Sequence, residues 1–130
     1  MAQGNLLGSI EREHSLDELI AKVREYRHLP DDWDTYGGKP ASERAVDYAT
    51  RLLTCLHSVP DISPPSVSPI SNGMYLEWEL GGMHLYFEID QASVLIVARD
   101  GKQIVHSVED ARFDIDQGIA TIKKFYEIAR

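Results

Sequence analysis

The sequence has few of the features that mark secreted or membrane proteins. It contains one cysteine, Cys55, so no intramolecular disulfide can form, which fits a reducing compartment. Residues 1–10 have neither the basic start nor the apolar run of a signal peptide. No segment approaches the roughly 20 apolar residues that span a bilayer. We therefore expect a cytoplasmic protein without a membrane partner.

Basic residues are also scarce. Lys and Arg number 13 against 21 Asp and Glu, which gives a formal net charge of -8. Because nucleic-acid binders use Lys and Arg to displace counterions from phosphates, direct nucleic-acid binding is disfavoured. The acidic excess suits a protein partner with a basic surface, since opposite fields speed the encounter. The alternative is that the charge only keeps the protein in solution.

Motifs of known enzyme classes are missing as well. The chain has no nucleophile elbow, phosphate-binding loop or dinucleotide fingerprint, and its five histidines show no metal-ligand spacing. We therefore predict no cofactor and no catalytic residue, and we expect a non-enzymatic protein.

Three helical segments can be placed along the chain. Ser15 and Glu18 form a capping box that predicts a first helix from about Ser15, with residues 1–13 of the single domain 1–130 poorly ordered. Ser42 is the predicted N-cap of a second helix that ends before Pro60, and the closing helix begins at about residue 114 or 116. Cys55, beside the apolar stripe of the second helix, is predicted to be buried and inert. Residues 60–69 are interpreted as an extended crossover.

The most informative segment is a hairpin over residues 74–90. Gly81-Gly82 is a two-residue turn signal, which places Trp78 opposite Leu85 and Leu76 opposite Phe87. In this register every apolar side chain of both strands lies on one face, the predicted core side, and a slip of one residue would divide them. The other face is acidic and aromatic, and we predict that it binds a partner. Its residues are Tyr75, Glu77, Glu79, His84, Tyr86 and Glu88.

A second hairpin is predicted around Asp100-Gly101, and its strands are apolar on both faces. Leu95, Val97, Ile104 and Val108 share one predicted side, and Val94, Ile96, Ala98 and Val105 share the other. We expect helices to cover one face, and the closing helix or another copy of the protein to cover the second. In the latter case Ile96, Ala98 and Val105 form a homodimer interface.

Two constellations suggest chemistry. Asp32, Asp34, Gly37 and Glu43 match four positions of a calcium-binding helix–loop–helix pattern, with the two aspartates and Glu43 as candidate ligands, although Tyr36 stands where a further ligand is needed. The favoured alternative is that an Asp of the Asp31–Asp34 loop accepts backbone N–H bonds, while Trp33 and Tyr36 fold back onto the helices.

The second constellation is on the sheet. There His84 opposite Glu79 could form an acid/base pair and the glutamates could hold a metal, but a solvated or binding surface is favoured.

Two segments together resemble a family. The segments Leu29–Pro40, which contains Trp33-Asp34-Thr35-Tyr36-Gly37, and Pro69–Trp78, which contains Asn72-Gly73 and Glu77-Trp78, resemble a group of small uncharacterised bacterial and phage proteins. The resemblance implies a prokaryotic or phage origin, and it does not indicate any activity. We interpret the motifs as a shared structural joint, with Trp33 and Trp78 packed near each other.

These patterns together predict a two-layer α+β domain. It has two N-terminal helices, a four- or five-stranded antiparallel sheet and a C-terminal helix. For function we expect a non-enzymatic module that binds a basic protein. Antitoxins, immunity proteins and phage inhibitors of host nucleases have this size and charge. The alternatives are a divalent-metal-binding protein or small metal-dependent enzyme, and a homodimeric accessory protein.

Overall fold

The computed structural model describes residues 2–129, with side chains from Ile10 onward. It has the α+β architecture that the sequence predicts, with two helices before the sheet and one after it. The helices are α1 (Ala2–Glu25), α2 (Glu43–Cys55) and α3 (Ile115–Ala129). The strands are β1 (Ser66–Ile70), β2 (Gly73–Leu80), β3 (Met83–Ile89), β4 (Val94–Asp100) and β5 (Gln103–Asp110).

The predicted start of the first helix is wrong. Helix α1 begins at Ala2, so Ser15 lies within the helix. Glu18 bonds to His14 one turn earlier, at 2.7 Å, and no capping box forms. A Ser-x-x-Glu pattern can therefore also occur in the middle of a helix, where Glu18 is exposed and Ser15 is half-buried.

One side chain of α1 also closes the end of α2. The guanidinium of Arg12 donates to the carbonyls of Leu56, Val59 and Ile62, at 2.5, 2.6 and 2.7 Å. Leu56 is the C-cap of α2 and the other two carbonyls lie in the segment that follows it, so the cation ties this segment to α1. The predicted N-cap of α2 is confirmed, because the Ser42 hydroxyl accepts the amide of Ala45 at 3.1 Å.

The five strands form one antiparallel sheet in sequence order, β1-β2-β3-β4-β5. Strand β1 overlaps the segment 60–69 interpreted as a crossover, and its five residues form one edge of the sheet. It contains Pro69, which has no N–H and is tolerated in a strand at an edge.

The predicted register of the first hairpin is confirmed at every position. Trp78 pairs with Leu85, Leu76 with Phe87 and Met74 with Ile89 across the turn at Gly81-Gly82. These side chains form the core with α1, α2 and α3, and Trp78 is only 3% exposed. Its indole N–H donates to the Ser63 carbonyl at 2.8 Å, so the buried polar group is satisfied.

The second hairpin differs from its prediction in two respects. Its turn residues are Gly101 and Lys102, and Asp100 pairs with Gln103. A bulge then follows, because Arg99 pairs with Ile104 and Ala98 with His106, which leaves Val105 without a partner. The bulge reverses the faces beyond it. Val108 consequently lies on the side of Ile96, its cross-strand partner, and not on the side of Leu95.

All three helices pack on one face of the sheet. Ile122, Phe125 and Tyr126 of α3 belong to the same core as the apolar side chains of β2 and β3. The closing helix therefore does not cover the second face. Helix α3 also leaves β5 open, since every residue from Gln103 to Ser107 is exposed. Between α3 and this strand lies an apolar groove.

Candidate interaction surface

The six residues predicted to bind a partner lie on the face of the sheet opposite the helices. Tyr75, Glu77 and Glu79 alternate with core residues along β2. Their cross-strand partners on β3 are Glu88, Tyr86 and His84, as predicted. We call these six residues the free face. Glu79 and Glu88 are exposed and the other four are half-buried.

Two tyrosines form the centre of the free face. The rings of Tyr75 and Tyr86 are stacked, with centroids 5.3 Å apart and an interplanar angle of 26°. On the far side of Tyr86 the guanidinium of Arg99 lies 5.8 Å from the ring centroid. Val97, the cross-strand partner of Tyr86, is buried although it lies outside the core. The tyrosine pair therefore forms an aromatic platform that rests on the sheet itself.

The histidine of this face contacts a different glutamate from the one predicted. His84 stands opposite Glu79 in the register, but its Nδ1 lies 3.3 Å from Oε2 of Glu77, on the diagonal. The right-handed twist of the sheet brings such diagonal pairs together. Glu79 remains exposed and has no ion pair with any described residue. The contact orients Glu77 and His84 on an open surface.

The charge of the free face is mainly negative. Glu77, Glu79 and Glu88 carry three negative charges against the one positive charge of the neighbouring Arg99. Glu109 extends the acidic area, because it pairs with Leu95, whose own partner on β3 is Glu88. Partial burial raises the pKa of the Tyr75 phenol, and the carboxylate of Glu77 raises it further. Tyr75 is therefore a neutral hydrogen-bond donor at pH 7.

A small depression borders the free face where β1 begins. It has a volume of about 290 Å³ and contains the side chains of Glu77 and Glu79 at the exposed edge of β2. Ser63, Pro64 and Ser66 form its other wall. Two carboxylates at a recess of this size can receive a basic side chain from a partner.

The structure places the predicted dimer residues differently. Ile96 is fully buried and Ala98 is 7% exposed, and both belong to the core beneath the helices. They cannot contact a second copy directly, so the prediction is wrong for these two residues. Val105 is 51% exposed, since the bulge removes it from the β4 pairing.

The candidate metal ligands do not converge. Asp34 accepts the amides of Tyr36 and Gly38 at 2.9 and 2.8 Å, and these bonds lower the pKa of its carboxyl group. Asp32 accepts the amide of Gly37 at 2.7 Å. Glu43 lies 3.4 Å from Arg27. In the described part of the chain no group of three or more His, Cys, Asp or Glu side chains could hold a metal.

The carboxylates of this loop act as turn acceptors, the favoured alternative. The aromatic residues beside them behave differently from each other. The indole of Trp33 donates to the Lys39 carbonyl at 3.0 Å and the residue is half-buried. Tyr36 is 91% exposed, so the expectation that it folds onto the helices is wrong.

The two motif segments of the family resemblance meet, but not through their tryptophans. The amide of Asn72 donates to the Lys39 carbonyl at 3.2 Å, and the Asn72 carbonyl accepts the amide of Ser42 at 3.0 Å. The loop therefore joins the turn between β1 and β2. Trp78 makes its ring contact with Phe87 instead of Trp33, with centroids 5.6 Å apart.

The prediction that Cys55 is buried is wrong, because the residue is exposed at the end of α2, where the helix turns it away from the core. One feature of the surface was not predicted from the sequence. Arg99 joins the free face, and its alternation with Ala98 along β4 is the pattern that could have identified it. Its Nε is buried and has no hydrogen-bond partner among the described residues.

Comparison with protein-family models finds no match, and the searches of curated proteins and of solved structures find none either. None of the helices within residues 2–129 has the length and apolar character needed to cross a bilayer.

Proposed function

We propose that the protein is a non-enzymatic interaction module, and that its free face binds a partner protein with a basic surface. The observation that carries the proposal is the stacked Tyr75–Tyr86 pair bordered by carboxylates on a sheet face without covering helices. Aromatic side chains anchor protein interfaces because they bury a large area at a small cost in entropy. Unpaired carboxylates around them steer a basic partner and set its orientation.

The class of partner follows from the charge. A chain with a net charge of -8 and an acidic, aromatic platform suits a nucleic-acid-processing protein, whose substrate-binding surface is basic. Inhibitors, antitoxins, immunity proteins and phage anti-defence proteins act in this way. The depression beside Glu77 and Glu79 gives such a partner a place for one Lys or Arg side chain.

The experiment compares proteins captured from a native prokaryotic lysate by three forms of the chain. The Glu77→Lys/Glu88→Lys variant reverses two charges of the free face. The Glu11→Lys/Glu13→Lys variant makes the same change in net charge on the exposed surface of α1. We expect the first variant to lose the basic partner of the wild type and the second to retain it, since steering and contact are local.

A third variant, Tyr75→Ala/Tyr86→Ala, removes the platform and leaves the charges in place. It should weaken binding of the captured partner by at least about 2 kcal/mol, measured with purified proteins by calorimetry. If capture is unchanged in both free-face variants, the binding surface lies elsewhere and the proposal is wrong.

A further inference from the structure

The two edges of the sheet differ in how they are protected. Strand β1 is short and carries Pro69, which has no N–H to donate. Strand β5 has eight residues, no proline, and no neighbour on its outer side. An open edge of this length presents unpaired N–H and C=O groups to any chain that can pair with it.

Exposed apolar side chains collect at the same edge. Of the five exposed large hydrophobic residues in the described part of the chain, Ile104 and Val105 are on β5 and Ile128 is on α3. Val105 and Ile128 border the apolar groove, which has a volume of about 790 Å³. The deeper wall of the groove is formed by side chains of β3, β4 and α3. These include Leu85, Ala98 and Phe125.

We propose that β5 pairs antiparallel with β5 of a second copy, so that two sheets join into one of ten strands. The charges on this strand favour self-pairing. Lys102 precedes β5 and Glu109 stands near its end, and neither has an ion pair with a described residue. Antiparallel pairing about an axis between Val105 and His106 places Lys102 of each copy opposite Glu109 of the other. Parallel pairing does not bring these charges together.

The bulge makes this register consistent with the two faces of the sheet. Ile104 and Ser107 pair with Arg99 and Val97 on the free-face side, and the same register places Ile104 opposite Ser107 of the other copy. Val105 comes opposite His106, and both border the groove. Without the bulge, Ser107 would lie on the helix side, and Ile104 would meet a residue of the opposite face.

The dimer explains the apolar groove. The twofold axis is perpendicular to the sheet, so the helices of both copies lie on one side and the two grooves adjoin. In an isologous interface of this kind each interaction occurs twice. Val105 and Ile128 are then removed from water in both copies. The dimer uses β5 and α3, whereas the proposed partner binds β2 and β3, so neither proposal depends on the other.

The test is analytical ultracentrifugation of the full chain and its charge variants. We expect the wild type to be a dimer at about 100 μM, above the roughly micromolar Kd typical of the weaker interfaces. Lys102→Glu replaces two attractive pairs with two repulsive ones and should raise the dimer Kd roughly 10- to 30-fold. Glu109→Lys should do the same. Arg24→Glu, an exposed charge reversal on α1, is the matched control and should leave the Kd unchanged.

Mixing the two single variants separates a lost contact from a folding defect. In a heterodimer of Lys102→Glu with Glu109→Lys one ion pair keeps its native polarity and the other is restored in reversed polarity, so the mixture should dimerise about as well as the wild type. A wild-type monomer at this concentration would overturn the proposal, and would leave the groove to a small apolar ligand. A dimer that is insensitive to both variants, or a mixture that stays monomeric, would also overturn it.

Discussion

Substitution of Trp78 is the sharpest test of how the sheet is built. The side chain is 3% exposed, packs edge-on against Phe87 and donates to the Ser63 carbonyl. Trp78→Ala removes the ring and leaves a cavity, which should lower the free energy of unfolding by about 3–5 kcal/mol. Trp78→Phe keeps most of the volume but leaves the carbonyl unpaired, at a cost of about 1–3 kcal/mol.

The measurement is urea unfolding followed by circular dichroism, with Trp33→Ala as the control. Trp33 is the only other tryptophan, and it is half-buried with one bond to a loop carbonyl. Its removal should cost about 1 kcal/mol. The variants are compared at constant m-value, so that the midpoint reports stability. If Trp33→Ala is as destabilising as Trp78→Ala, the assignment of the core face is wrong.

Three further predictions concern particular residues. Gly73→Ala should destabilise the chain by about 3 kcal/mol in the same assay, because the added Cβ would lie 1.6 Å from the Ile89 carbonyl oxygen; an unchanged midpoint would contradict this. The pKa of Asp34 is lowered in the folded chain, so its charged carboxylate stabilises the fold above pH 3.8. That stabilisation is lost as the pH falls further and the carboxylate is protonated. The stability gap between wild type and Asp34→Asn should therefore narrow below that pH, and a gap that widens would refute the sign. Cys55 is exposed and should react fully with a thiol reagent in the native state, whereas reaction only in denaturant would place it in the core.

The first hairpin shows what could be predicted from the sequence. A two-residue hairpin turn requires a positive φ at both of its positions. Gly81 and Gly82 have φ angles of 59° and 80°. With the turn fixed, the alternation of apolar side chains allows only one register. The residues of the free face followed from that register alone.

The second hairpin shows why the rest could not be predicted. Asp100-Gly101 is a strong turn signal, but the turn lies one residue later, and a bulge at Val105 pairs Ala98 with His106. A bulge depends on the packing of the partner strand and leaves no local pattern. Strand β1 was missed for a related reason, since an edge strand can contain Pro69 and needs only one neighbour. Tyr75 stacks on Tyr86, and His84 contacts Glu77 and not Glu79, because the sheet twists. The sequence alone does not show these diagonal contacts.

Hydroxyl-radical footprinting of the free chain tests most directly the claim that one face of the β2–β3 hairpin is interior and the other is free. Tyr36, which is 91% exposed, provides the internal reference. We predict that Tyr86 and Tyr75 are oxidised in the native protein at measurable rates, while Trp78 reacts only after unfolding. Rapid oxidation of native Trp78 with protection of both tyrosines would contradict the account, because the carboxylates beside those tyrosines would then be interior.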